Sequence, residues 1–405
     1  MIALETQTIA GGVTAPAGFR ASGVACGIKA NGKPDLSLVV SETLASAAAV
    51  FTTNVAQAAP ILVSREHLAR SGGRAAAIVT NSGCANACTG EDGLSHAREM
   101  TRLTAAAVDC ATEAVLVAST GVIGVKLPMP RVASGISLAA GALSPDGGAD
   151  AARAIMTTDP FSKEAAAEAS VRGATFRVGG MAKGSGMVEP MMATMLGFVT
   201  TDARVEPVLL QRALKAAAED TFNAISVDGE CSTNDCVFAL ANGASGVTLT
   251  EDDYPVLVAA LRRVCEPLAI EIVRGGEGAT KLITIRVTGA KTNEDAKATA
   301  RAIANSPLVK TAVHGGDPNW GRLVAVAGRA TRTLVLDRAR IRIGPVELFA
   351  NGAPFDERAP EAAEYLRGRE IDLHVDLGTG GPGEARMWSC DLTAEYVRIN
   401  ADYRT

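Results

Sequence analysis

Six short segments combine glycine with hydroxyl, amide or charged side chains: Asn81-Ser-Gly-Cys-Ala-Asn86, Ser119-Thr-Gly-Val-Ile-Gly124, Met156-Thr-Thr-Asp159, Lys183-Gly-Ser-Gly186, Gly276-Glu-Gly-Ala-Thr-Lys281 and Gly316-Asp-Pro-Asn-Trp-Gly321. Glycine lets backbone amides come close to a bound group, and the neighbouring hydroxyls and charges add hydrogen bonds. Together the segments suit a site for a small polar substrate bearing carboxylates. Taken singly, each also reads as an ordinary turn.

Other chemical signatures are weak. Gly378-Thr-Gly380-Gly-Pro-Gly383 has the letters of a dinucleotide loop, but the following residues 384–392 alternate like a strand rather than opening a helix. A hairpin loop between strands at 371–377 and 385–392 fits better. There is no Walker sequence, GxSxG or HExxH. His67, His96, His314 and His374 stand singly, as surface or satisfied core histidines do. The eight cysteines form no CxxC pair. Cys84 and Cys88 have metal-like proximity without a second ligand pair, so small buried hydrophobes are the expected role and no metal is assigned.

Elements able to position these segments are visible in the pattern. Short apolar runs at 75–80 and 114–118 read as buried strands. Residues 283–287 alternate, as do parts of 333–342. Helices are expected at 95–110, with Met100, Leu103, Ala107 and Val108 on one stripe, and at 206–222, with Val208, Leu209, Ala213 and Ala217 together. Two more are expected at 255–270 after an acidic start at Thr250-Glu-Asp-Asp253, and at 293–303. The predicted class is α/β, with layered mixed sheets flanked by helices.

Composition narrows the function. The chain has 405 residues, 47% hydrophobic and 20% charged, with a formal net charge of −5. A mildly acidic chain with 4% aromatics is a poor partner for nucleic acid. The first residues lack a basic, apolar leader pattern, and no apolar run reaches 18 residues, so a cytoplasmic protein with no membrane partner is expected.

In this order, the segments resemble the ornithine acetyltransferases, the glutamate N-acetyltransferases of arginine biosynthesis. The matching stretches are Val117-Ala-Ser-Thr-Gly-Val-Ile-Gly, Ala154-Ile-Met-Thr-Thr-Asp, Met181-Ala-Lys-Gly-Ser-Gly-Met-Val-Glu-Pro-Met-Met-Ala-Thr-Met-Leu, Asp228-Gly-Glu-Cys-Ser-Thr-Asn-Asp, Gly276-Glu-Gly-Ala-Thr-Lys, Asp317-Pro-Asn-Trp-Gly-Arg and Asn400-Ala-Asp-Tyr-Arg-Thr405. They span nearly the whole chain. Cys84, Cys231 and His314 depart from the residues expected in much of the family.

The resemblance implies an ornithine-acetyltransferase-like fold with chemistry of the N-terminal-nucleophile kind, and a chain that cuts itself between Ala193 and Thr194. The products, 1–193 and 194–405, would form one intertwined body, and two such pairs an α2β2 assembly. The chemistry is coherent, because cleavage gives Thr194 an α-amine with an ordinary pKa of about 7.7–8.0, able to take the proton of its own hydroxyl. The implied reaction is ping-pong: N2-acetylornithine acetylates Thr194, ornithine leaves, and glutamate takes the acetyl group. By the same resemblance, Thr120 and Gly121 form the oxyanion hole. Thr157, Lys183, Thr194, Glu277, Asn400 and Thr405 bind substrate, with Lys183 facing the α-carboxylate and Glu277 a cationic amine. Tyr396, Val397, Ile399 and Tyr403 would anchor the tail. No cofactor is implied; acetyl-CoA serves some members as a second donor. Two readings compete: an N-terminal-nucleophile amidohydrolase or aminopeptidase passing the acyl group to water, and a noncatalytic amino-acid-binding protein that is never cut.

Overall fold

The computed structural model describes residues 6–189 and 195–402. Through residue 249 its strands are β1 (Thr6–Ile9), β2 (Phe19–Val24), β3 (Leu36–Phe51), β4 (Arg74–Cys84), β5 (Val115–Val122), β6 (Lys163–Val171), β7 (Ala174–Lys183), β8 (Leu196–Thr201), β9 (Arg204–Val205), β10 (Cys236–Ala241) and β11 (Thr248–Leu249). The two-residue β9 and β11 pair with each other. The rest form one sheet in the order β1-β6-β7-β8-β10-β3-β4-β5, with β2 also on β3.

The 16-residue β3 joins two layers. Its second half pairs with β10, its first half with β2 and β4, and the β3–β4 register shifts between Val40 and Ala45. This break lets the sheet fold over. Val39, Ile78, Leu116 and Ala118 of one half then share a core with Met181, Leu196, Phe198 and Phe238 of the other. The small alanines of β3 suit that close approach.

Helices cover both outer faces. α1 (Ala59–Arg70), α2 (Gly90–Val108) and α3 (Met129–Gly141) pack Val63, Met100 and Ile136 against β4 and β5. The seven-residue α4 (Gly148–Ala154) lies by β2 and β3. α5 (Pro207–Glu219) and α6 (Tyr254–Arg274) cover β6, β7, β8 and β10 through Leu210, Leu214, Leu261 and Val264. The acidic stretch before α6 is a short 3-10 turn, Glu251–Asp253, with a capping box: Thr250 and Asp253 satisfy each other's backbone amides. The α/β layering read from the sequence is therefore present, as helix, sheet, sheet, helix.

A second sheet follows, in the order β15-β14-β13-β16-β12-β17: β12 (Leu282–Ala290), β13 (Arg340–Ile343), β14 (Val346–Ala350), β15 (Ala353–Pro354), β16 (Glu370–Asp376) and β17 (Gly383–Cys390). Alternation along β12 and β16 buries Ile283, Ile285, Val287, Ile371, Leu373 and Val375 on one face, against α7 (Asn293–Ala304), α8 (Pro307–Gly315), α9 (Trp320–Ala330) and α10 (Ala359–Tyr365). The last element is α11 (Ala394–Asp402).

Several expectations need correction. β16 and β17 are not a hairpin: β12 lies between them, parallel to β16 and antiparallel to β17. The loop at 378–383 therefore crosses the end of β12, where the Leu377 and Thr379 amides donate to Thr288 and Gly289 carbonyls. The part of the 333–342 stretch that is strand is its end, as Arg340–Ile343 runs one residue beyond it. On α5, Val208 is 72% exposed and the buried stripe runs instead through Leu209, Leu210, Ala213, Leu214 and Ala217. On α2, Ala107 is exposed, and Ala97, Met100, Thr104 and Ala105 are buried. Cys84, Cys236, Cys265 and Cys390 are buried as expected, but Cys88 is exposed.

Candidate active site

One cavity gathers the predicted residues. Thr120, Gly121, Thr157, Thr158, Lys183, Glu277 and Asn400 line it, from five separate segments of the chain. Ala193, Thr194 and Thr405 lie outside the described residues, as does Tyr403. The fold explains the convergence. Folding of the sheet brings the end of β5 over the end of β7, and Lys183 Nζ donates to Thr120 Oγ1 at 3.2 Å. An ammonium only donates, so the Thr120 hydroxyl keeps its own proton for a further acceptor.

Gly121 is required by its backbone. Its φ is +129°, and a Cβ there would lie 2.3 Å from the carbonyl carbon of Gly83. This is where β4 and β5 depart from regular register, between Gly83 and Cys84. A side chain would force the two strands apart and move Thr120 with them.

Lys183 is 3% exposed. Burial lowers its ammonium pKa, against the pull of Asp159 first, with Asp235 and Glu277 adding to it and Lys163 opposing. Asp159 is the hub of this cluster and was not singled out from sequence. It accepts from Lys163 Nζ at 2.6 Å and from the amides of Gly184 at 2.8 Å and Thr157 at 3.0 Å. It thus ties the Met-Thr-Thr-Asp turn to the Lys-Gly-Ser-Gly turn. Burial alone would raise its carboxyl; Lys183 and Lys163 hold it at about 2. Lys29 fixes the other side of the turn by donating to the Met156 carbonyl at 2.7 Å. Its own ammonium is brought down to about 8 by burial and, more weakly, by Lys183, against Asp35.

Asp159→Ala should leave Lys163 and Lys183 buried and facing each other. A loss of about 3–5 kcal/mol is expected, as when one partner of a buried ion pair is removed. The pH dependence has a definite sign. The depressed folded pKa means this stabilisation is present above the unfolded carboxyl pKa and is lost as pH falls through about 2. Urea unfolding of both proteins from neutral pH towards pH 2 should show the difference shrinking.

Glu277 follows α6 and is 8% exposed. Its amide donates to Ser185 O at 2.8 Å, and its Oε2 accepts from Asn400 Nδ2 at 2.8 Å. The second sheet sets this loop: Asp391, just beyond β17, accepts from the amides of Thr280 and Lys281 at 2.8 and 2.9 Å, and from His314 Nδ1 at 2.8 Å. His314 is therefore a support for the loop. None of the four histidines lines the cavity.

The far wall comes from Asp228-Gly-Glu-Cys-Ser-Thr-Asn-Asp235. Asp228 accepts from the amides of Met187 and Val188, both at 2.7 Å, and from the Tyr396 hydroxyl at 3.3 Å. Burial first, then the charge of Asp228, pushes the Tyr396 phenol above its ordinary range. Asn234 Nδ2 donates to Ala85 O at 2.6 Å and Ser119 O at 2.9 Å, holding the strand that carries Thr120. Asp228, Glu230, Ser232, Asn234 and Tyr396 all line the cavity. The first four lay in a family-like stretch of the sequence, but that stretch gave none of them an individual role.

The tail is anchored differently from the sequence reading. Val397 is 63% exposed and Ile399 half-buried. α11 is held instead by the Tyr396 hydroxyl, by Asn400 and by Thr393 Oγ1, which donates to Gly278 O at 2.8 Å. The sixth glycine segment is not at the site. Gly316, in the left-handed region, ends α8, and Asn319 caps α9 by accepting from the Arg322 amide.

Among curated relatives, an arginine biosynthesis bifunctional protein of Symbiobacterium thermophilum is 51% identical over 98% of this chain and 100% of its own. The Bacillus subtilis protein of the same name is 46% identical, covering 98% and 97%. Among solved structures, an ornithine acetyltransferase of Mycobacterium tuberculosis complexed with ornithine matches 46% of this chain and 98% of its own, at 42% identity and a TM-score of 0.43. The ArgJ family model matches residues 20–405. With that match over nearly all of its length, this chain belongs to the ArgJ family.

Proposed function

We propose that this chain is an acetyltransferase of arginine biosynthesis that moves the acetyl group of N2-acetylornithine to glutamate through an acetyl-Thr194 intermediate. The observation that carries the reading is the Lys183–Thr120 contact at the floor of the cavity, with Gly121 beside it. A hydroxyl with its proton unspent, next to a buried cation, can stabilise a developing oxyanion. In the first half-reaction the Thr194 hydroxyl attacks the acetyl carbon and its proton passes to the α-amine; the tetrahedral oxyanion then collapses, breaking the acetyl C–N bond as the α-ammonium gives that proton to the departing ornithine amine. In the second, the neutral glutamate amine attacks the ester, its proton passes through the α-amine to the Thr194 oxygen as the ester C–O bond breaks, and the Thr194 hydroxyl is regenerated. Lys183 faces the α-carboxylate, Thr157 and Asn400 position the substrate, and Glu277 faces the amine. By the family resemblance, Thr405 is assigned to substrate binding with them.

Several features support the rest of the reading. β8 and β10, which follow the proposed cut, sit between β7 and β3, which precede it, so fragments 1–193 and 194–405 would stay together. We assign the assembly as α2β2, the family's arrangement by resemblance. No helix among the described residues is long and apolar enough to cross a membrane. Acetylornithine should be consumed rapidly with glutamate present and only slowly with water as acceptor. Hydrolysis at the same rate without glutamate would favour an amidohydrolase. Running the assay with acetyl-CoA in place of acetylornithine measures the second donor.

The tail supplies a further expectation. Deleting residues 400–405 removes Asn400 from Glu277 but leaves Thr120 and Lys183 in place. Cleavage should persist while acetyl transfer falls by roughly 10²-fold, the scale of a misplaced substrate. Asn400→Ala should mainly raise KM. Normal turnover by the cleaved deletion variant would show that another segment closes the cavity.

A further inference from the structure

Asp235 is buried to 1% exposure and does not line the cavity. Its Oδ1 accepts from the Met195 amide at 3.0 Å. Met195 is bonded directly to Thr194. The contact extends the parallel β8–β10 pairing, which begins at Leu196 and Cys236, one step towards Thr194. Asp235 is itself fixed, because its carbonyl accepts from the Thr52 amide at 2.9 Å. Its neighbour Asn234 holds the carbonyls of Ala85 and Ser119. Two adjacent side chains thus tie the nucleophile's segment and the oxyanion strand to one short loop.

The second oxygen, Oδ2, is buried and makes no hydrogen bond among the described residues. Burial pushes this carboxyl well above the usual carboxylate range, against the Met195 amide, the nearby Ser232 hydroxyl and the Lys183 ammonium. A neutral acid costs far less here than an unpaired carboxylate would.

We propose that Asp235 is a positioning residue for both self-cleavage and acetyl transfer, holding the Met195 amide so that Thr194 is directed at the bond to be cut and, afterwards, at the substrate. The inference rests on the reading of Thr194 as nucleophile. It requires an acceptor for the Met195 amide but no ionised group at position 235.

The test compares Asp235→Asn and Asp235→Ala in the full chain, following cleavage on denaturing gels from pH 5 to 9 and acetyl transfer by the cleaved fraction. Asparagine keeps an oxygen for the Met195 amide and is neutral. Its cleavage rate should stay within about threefold of wild type, with the same pH profile. Alanine should slow cleavage tenfold or more and lower kcat with little change in KM. If alanine fails to fold, the asparagine profile still decides. An asparagine variant that is uncut, or whose pH profile is displaced, would overturn the proposal by showing that an ionising carboxyl is needed. So would an alanine variant cut and turning over at the wild-type rate. Amino-terminal sequencing of the wild-type fragments separates this from failure of the Thr194 reading: a cut elsewhere, or none, removes that reading whatever the Asp235 variants do.

Discussion

Thr194→Ala is expected to leave one intact chain of 405 residues with no acetyl transfer, whereas the wild type should yield fragments of 193 and 212 residues, the larger beginning Thr-Met-Leu-Gly. Both effects follow from one hydroxyl. In the proposed mechanism it would attack the preceding carbonyl to cut the chain and, once the α-amine is free, attack the acetyl group. Losing a nucleophile of this class costs roughly 10⁶ in kcat. Thr194→Ser keeps the hydroxyl and should still be cut. A fully active wild-type enzyme running as a single full-length band would end this mechanism.

Thr120→Ala should lower kcat by roughly 10²–10³, about 2.7–4 kcal/mol of transition-state stabilisation, with a smaller change in KM. In the proposed mechanism an oxyanion forms in both half-reactions and in self-cleavage, so all three should slow. The substitution also strips Lys183 of its hydroxyl acceptor. Thr120→Ser, which retains that acceptor, should recover most of the rate. If Thr120→Ala changed KM alone, the residue would belong to ground-state binding instead.

Much of the fold was legible where burial leaves a simple pattern. β4 and β5 are covered on both faces, so they read as unbroken apolar runs, and β12 alternates because one face is wet. What could not be read arises from pairing at a distance. Nothing local says that β12 intervenes between β16 and β17, or that β3 bends from one layer to the other. The site divides in the same way. Thr120, Gly121, Thr157, Lys183, Glu277 and Asn400 came from ordered motifs, and the cavity brings them together. Asp159 looked like the end of a turn because the two lysines that give it meaning approach from 4 and 24 residues further along the chain. Tyr396 read as an apolar anchor because its partner Asp228 is 168 residues away.

The position of β8 bears on how the enzyme could ever be rebuilt after unfolding. β7 and β8 are antiparallel neighbours in register from Val178–Thr201 to Lys183–Leu196, and the proposed cut falls in the link between them. Before cleavage, refolding is an intramolecular search across a short connection. Afterwards, two separate polypeptides must meet and thread β8 and β10 into a slot whose two walls belong to the other piece. That step becomes second order, and it competes with edge-to-edge pairing of the exposed strands. Recovery of the uncut Thr194→Ala chain from denaturant should be nearly independent of protein concentration, while recovery of the mature enzyme should collapse on dilution. The native state of the cut protein would then persist through the height of its unfolding barrier rather than through easy reversibility.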